Sequence, residues 1–173
     1  MIENYHETFY ENSERFLKQL PKGVFITTKS LQDEVNTMTV AWGHIGVIWG
    51  RPVFIAYVRY SRHTYDLLLN AEDYTINVPE YNTLKQALKI AGTESGRDID
   101  KFEKANLTLK PAKKVRSPVI ADCDLHYECR MIYQQTQEPA LINETIKQRY
   151  YKDHDTHIMF FGEIVDSYRL KGD

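Results

Sequence analysis

Residues 53–58, VFIAYV, form the longest uninterrupted apolar run in the chain, and the strand they begin reads on to Arg59 and Tyr60. It is far short of the roughly 20 residues a membrane helix needs. A strand apolar on both faces is the pattern of a sheet interior covered on both sides. Its neighbours read as strands too: GVFITT (23–28), NTMTVAWG (36–43), DYTINV (73–78) and HIMFFGEIVDSYRL (157–170). VIADCDLHYECRMIYQQTQ (119–137) is one long strand or a broken pair, and WGRP (49–52) is a turn. Helices are expected over 61–70, capped by Ser61, over 81–92, and over 95–106 with Ser95 and Asp98 as a capping box. In the second helix Tyr81, Leu84, Leu88 and Ala91 share a face, and Gly92 ends it. The expected fold is mainly β, a small barrel with inserted helices. One domain over 1–173 is expected, with residues 1–20 packing on the barrel through Tyr10, Phe16, Leu17 and Leu20.

Charge narrows the function classes. Lys and Arg total 22 against 24 Asp and Glu, interspersed along the chain, so neither nucleic acid nor a membrane surface is an expected partner. The polar start MIENYHETFYENSERF has the character of neither a signal peptide nor a transit peptide. Cys123 and Cys129, read as lying in one strand, would stand roughly 20 Å apart, too far to bridge. Thiols without an export signal point to a reducing, cytoplasmic location.

The stretch NTMTVAWG divides into a small face, Thr37, Thr39, Ala41 and Gly43, and a large one, Met38, Val40 and Trp42. A face of small groups admits close approach by a flat ligand, or is a solvent face rich in Thr.

RYSRHT places Arg59, Ser61, Arg62, His63 and Thr64 at an expected helix start, a setting for a phosphate. The alternative is a capped helix whose arginines pair with acids such as Asp66. GTESGRDIDK is a second glycine-rich entry to a helix, with Arg97 and Lys101 one turn apart. His154 and His157 in KDHDTHIMF read as a loop entering the last strand rather than a metal site. No Gly-x-Ser-x-Gly elbow, Walker sequence or Rossmann glycine fingerprint occurs.

Taken in order, GVFITT, NTMTVAW, RPVFIAYVRYSRHTYDLL, DYTINV, GTESGRDIDKF, ECRMIY and HIMFFGEI resemble the flavin reductase-like, FMN-binding split-barrel proteins, most closely the flavoredoxin-type branch. The resemblance spans about residues 20–168. It implies a split β-barrel homodimer with FMN in a cleft near the subunit interface. It makes Asn36, Thr37, Met38, Thr39 and Trp42 the flavin-ring strand. Arg59, Ser61, Arg62 and Thr64, with His63 among them, become the phosphate and ribityl clamp. Ser95, Gly96, Arg97 and Lys101 become the closing segment, and His157 a flavin contact on the last strand. Two positions depart from the pattern: Tyr60 where relatives often have Pro, and Glu94 where they often have a base. A carboxylate facing the ring would disfavour anionic reduced flavin and lower the potential, whereas one pointing to water would not.

The implied activity is that of an NAD(P)H-dependent flavin oxidoreductase, with hydride passing from nicotinamide to flavin. The alternative is a flavoredoxin-like electron carrier reduced by a partner protein. Neither needs a catalytic acid, base or nucleophile from the chain.

Overall fold

The computed structural model describes residues 8–170. Among them seven strands form one antiparallel sheet: β1 (Val24–Lys29), β2 (Val35–Val40), β3 (Gly43–Ile48), β4 (Arg51–Arg59), β5 (Asp73–Val78), β8 (Leu125–Thr136) and β9 (His157–Arg169). The order across the sheet is β2-β1-β5-β8-β9-β4-β3. Its two outermost strands, β2 and β3, are consecutive in the chain and joined only by Ala41 and Trp42. The sheet must therefore curl until its edges nearly meet, which makes the barrel and leaves it split along that seam. Two register shifts between β8 and β9, at Glu128/Cys129 and Met131/Tyr133, supply local bending.

Strand β1 is buried on both faces because successive side chains point to opposite sides. Val24 and Ile26 enter the barrel interior with Phe16, Phe54, Tyr74, Tyr127 and Phe160. Phe25 faces outward into a second cluster with Leu88, Ala91, Leu107 and Ile120. That outer layer is built by α4 (Lys85–Thr93), α5 (Lys101–Ala105) and the short pair β6 (Leu109–Lys110) and β7 (Val119–Ile120). Tyr81 stays exposed before α4, and the helix runs one residue past Gly92, ending at Thr93. The break between β7 and β8 settles the 119–137 segment as a broken pair, with Cys123 in the turn before β8 and only Cys129 in the strand.

The strand read as covered on both sides is covered fully on one and partly on the other. In β4 the side chains of Phe54, Ala56 and Val58 are buried, while on the other face Val53 is buried and Ile55, Tyr57 and Arg59 are half-buried. The segment from Tyr150 to Asp155 packs over the Arg59 end of that face, and Trp49 packs beside Phe161 at its other end. At the β3–β4 turn Trp49 and Gly50 both have positive φ (53° and 68°), which fits the tight twist of a two-residue hairpin. Trp49 is 63% exposed and packs beside Tyr133 and Phe161.

At the N-terminal end α1 (Thr8–Glu11) and α2 (Ser13–Gln19) carry Phe9 and Phe16 into the main core, with Leu20 following. Leu17 faces solvent at 53% exposure, because the anchors on α2 are Phe16 and Gln19 instead. The side chain of Tyr10 lies outside the described residues.

Two buried carboxylates hold the irregular segment before β7. Glu128 accepts from the Lys113 and Lys114 amides, and Asp73 from those of Arg116 and Ser117. Among the described residues no helix is long and apolar enough to cross a membrane.

Candidate functional site

The small face of NTMTVAWG receives a helix. Thr39 Oγ1 donates to the Leu88 carbonyl of α4 at 2.7 Å. A Cβ on Gly92 would stand 3.2 Å from Thr39, so glycine permits this close packing. Thr37, fully buried, accepts through its hydroxyl from Thr27 at 3.0 Å and donates to the Ile26 carbonyl. NTMTVAWG is not one straight strand: β2 stops at Val40, and Ala41–Trp42 crosses to β3, which opens at Gly43. Met38 and Val40 point into the core, while Trp42, freed from strand alternation, turns to His157 at 4.9 Å between ring centres.

At this seam a cleft of about 180 Å³ opens along Met38–Trp42, walled by Tyr57, Arg59, Arg62 and His157. A second hollow of about 370 Å³ follows the other end of β2, lined by Val35, Asn36 and the segment Gly96–Phe102. Among the described residues β2 is a sheet edge, paired only to β1. Thr37 C=O accepts from Lys101 Nζ, a side chain beyond that edge. Because the N–H and C=O of one strand residue point the same way, the Thr37 and Thr39 main-chain groups face the edge, not β1.

Three cations converge here in different states. Arg59 is engaged: it donates to the Asp155 carbonyl and, at 2.9 Å, to the Tyr150 carbonyl. Lys101 is buried and donates to Thr37 O (3.0 Å) and Ala91 O (2.9 Å). Burial, followed by the Arg62 charge, lowers its pKa to about 8, against an opposing pull from Glu94. Arg62 lines the cleft and reaches the Gly92 carbonyl at a long 3.3 Å.

His157 opens β9, with Nδ1 2.9 Å from the Tyr151 hydroxyl. Burial, then the Arg59 charge, lowers its pKa to about 4, so it is neutral at pH 7. Tyr150 closes the outer side, packing edge-on against Trp42 at 5.2 Å.

Several expected contacts resolve differently. Ser61 does not cap a helix: α3 (His63–Leu69) begins two residues later behind Arg62, and Ser61 Oγ donates to Asp155. The capping pair Ser95/Asp98 is absent, since α5 starts at Lys101 and is capped by Asp100. Ser95 Oγ instead accepts from the Arg97 amide, and the Arg97 guanidinium pairs with Asp66. Thr64 accepts from Asn36 Nδ2 at 2.9 Å, and His63 Nε2 pairs with Glu34 at 2.7 Å. Glu94 pairs with Lys104 at 2.6 Å. Met38, Thr39, Trp42, Arg59, Arg62 and His157 thus line the aromatic cleft. Asn36, Gly96, Arg97 and Lys101 line the second hollow. Thr37, Ser61, His63, Thr64 and Ser95 stand behind or beside them.

Tyr57 and Asp155 were not among the expected site residues. Tyr57 could have been found, since it shares a strand face with Arg59; Asp155 could not, because it meets Ser61 across 94 positions. Among the described residues no group of three or more His, Cys, Asp or Glu side chains is placed to hold a metal ion.

Comparison with known proteins adds three findings. A family model described as "Flavin reductase like domain" matches residues 17–173. An uncharacterized protein of Archaeoglobus fulgidus is 33% identical over 100 residues, covering 58% of this chain and 55% of that protein. The match thus spans about half the length of that relative. Among solved structures, the flavoredoxin of Desulfovibrio vulgaris (Miyazaki F) superposes with a TM-score of 0.67 at 23% identity, covering 86% of this chain and 69% of that one. The FMN-binding protein from Thermus thermophilus, solved with bound 1-cyclohex-2-enone, gives 0.66 at 18% identity, covering 87% and 71%. At such identities the likeness to these structures concerns the fold.

Proposed function

Since the chain belongs to the flavin reductase-like family, we propose that it binds FMN at the β2–β3 seam and acts as an NAD(P)H-dependent flavin oxidoreductase. The observation that carries this reading is the cleft lining: two arginines and three aromatic rings, with no carboxylate among them. The donor set fits FMN. Arg62 offers a guanidinium to a phosphate, and the free edge of β2 offers main-chain groups to the polar rim of a flat ring. Gly96 stands where a Cβ would strike Asn36 and crowd His63, so the closing segment lies against β2 as tightly as glycine allows. His63 Nδ1 is buried without a partner among the described residues, a polar atom open to a ligand group.

FMN, when bound, supplies a two-electron acceptor for hydride from a reduced nicotinamide. The chain's own part is to bind, orient and shield. Arg62 anchors the phosphate, and Met38–Trp42 set the ring plane. Trp42, Tyr57 and His157 exclude water from one side of the cleft. Neutral His157 adds no charge beside the ring. The Glu94 charge is largely compensated by Lys104, so its effect on the potential is smaller than an unpaired carboxylate would have.

We further propose a homodimer through the partly covered face of β4 and its neighbours, where Ile55, Trp49 and Tyr133 present apolar surface. The buried thiols Cys123 and Cys129 suit a reducing compartment, the cytoplasm.

The test is to purify the protein, record its flavin absorbance, and add NADH and NADPH anaerobically. Bleaching by either nicotinamide is expected. A colourless protein that takes up no added FMN overturns the whole reading. A yellow protein bleached by neither would leave flavin binding intact and make it an electron carrier reduced by another protein.

A further inference from the structure

The loop before β9 brings a carboxylate onto donors well suited to a phosphate. Asp155 Oδ2 accepts from Ser61 Oγ at 2.6 Å, and Asp155 Oδ1 accepts from the Ser61 amide at 3.2 Å. The Arg59 guanidinium stands 4.0 Å from the same carboxylate. Asp153 stands beside this group as well, 3.7 Å from Arg59, and accepts from the Asp155 amide at 3.2 Å. One hydroxyl, one amide and one guanidinium are thus already turned toward an internal anion, one residue from Arg62.

We propose that Asp155 is a specificity-determining residue that sets how strongly the site prefers FMN to unphosphorylated riboflavin. This rests on the FMN reading above. A phosphate approaching Arg62 carries about two negative charges at neutral pH and must either displace the Asp155 carboxylate from Ser61 or bind beside it. Both routes cost free energy, the first in lost hydrogen bonds and the second in like-charge repulsion. The terminal hydroxyl of riboflavin is uncharged and meets neither cost. Asp155 therefore lowers the affinity for FMN selectively and narrows the gap between the two flavins.

The loop tolerates removal of the charge. Arg59 holds it by the main-chain carbonyls of Tyr150 and Asp155, which no substitution at 155 deletes. Asp155→Asn keeps the shape and an acceptor for Ser61, and Asp155→Ala clears the donors altogether.

The test is titration of FMN and of riboflavin, separately, into the wild-type protein and both variants, followed by flavin fluorescence at fixed ionic strength. FMN affinity should rise about tenfold in Asp155→Asn and at least as much in Asp155→Ala, the size of one removed near-surface repulsion. Riboflavin affinity should move by less than about twofold, and the FMN gain should shrink at 1 M salt. Equal shifts for both flavins, or weaker FMN binding in the variants, would overturn the proposal, since a purely structural Asp155 predicts those results. Wild-type protein that binds neither flavin would instead remove the FMN reading itself, and this inference with it.

Discussion

Lys101 Nζ donates to the Thr37 carbonyl at 3.0 Å, with 4% of the residue exposed. A second bond to Ala91 O ties the start of α5 to both β2 and the end of α4. Replacing Lys101 with Met keeps the aliphatic stem and strips two carbonyls of their donor. A loss of about 1–3 kcal/mol is expected in denaturant unfolding at pH 7. The pH dependence has a definite sign. Its folded pKa of about 8 lies below the unfolded value of 10.5, so between these the unfolded chain binds more protons. The Lys101 contribution to stability therefore rises with pH across that window. The difference between wild type and Lys101→Met should widen from pH 8 to 10, a comparison that cancels the opposing titrations of buried tyrosines and Cys129.

Arg62→Ala should weaken FMN binding by about 1.5–3 kcal/mol, the worth of a hydrogen bond to a charged group. Isothermal titration checks this, and unchanged affinity would remove Arg62 from the phosphate site.

Gly96→Ala places a Cβ against Asn36 Oδ1 and 2.8 Å from its Cγ. Asn36 is buried and bonded to Thr64, so it cannot swing away without losing that contact. A destabilisation of about 1–3 kcal/mol is expected, read as a lower midpoint in urea. An unaltered midpoint would mean that the closing segment yields freely.

Acid should loosen the fold through two buried histidines. Burial lowers His126 and His157 from 6.5 to about 4. Between pH 6.5 and 4 the unfolded chain takes up protons that the folded chain refuses, so stability falls as pH falls through this window. Unfolding curves at half-unit steps should show that slope, flattened in His126→Gln. A flat wild-type profile from pH 7 to 5 contradicts it.

Trp49→Lys puts a charge at the exposed turn of the apolar β3–β4 face. Sedimentation velocity should show a dimer for wild type and a larger monomer fraction for the variant. Monomeric wild type at micromolar concentration argues against the proposed interface.

Which parts of the fold were legible follows from the range of the signal. GVFITT, DYTINV and HIMFFGEIVDSYRL become β1, β5 and β9 within a residue or so, since alternation and β-branched content act locally. The helix α6 (Glu144–Tyr150) left no trace in the pattern because none of its residues is buried. Arg62, Trp42 and His157 were named as candidates through the order of several motifs, not through any one spacing, and the fold brings the three to one cleft.

The chain's own sequence determined that Thr37, Thr39, Ala41 and Gly43 would be small and that a basic turn would follow β4. Only the tertiary structure decided that α4 covers the Thr37–Thr39 face, that the strand breaks at Ala41–Trp42, and that Asp155 occupies Ser61. The physical reason is distance along the chain. Periodicity fixes which side chains share a face, whereas the group that meets that face comes from 49 residues away for Leu88 and 94 for Asp155, and is selected by packing of the whole sheet.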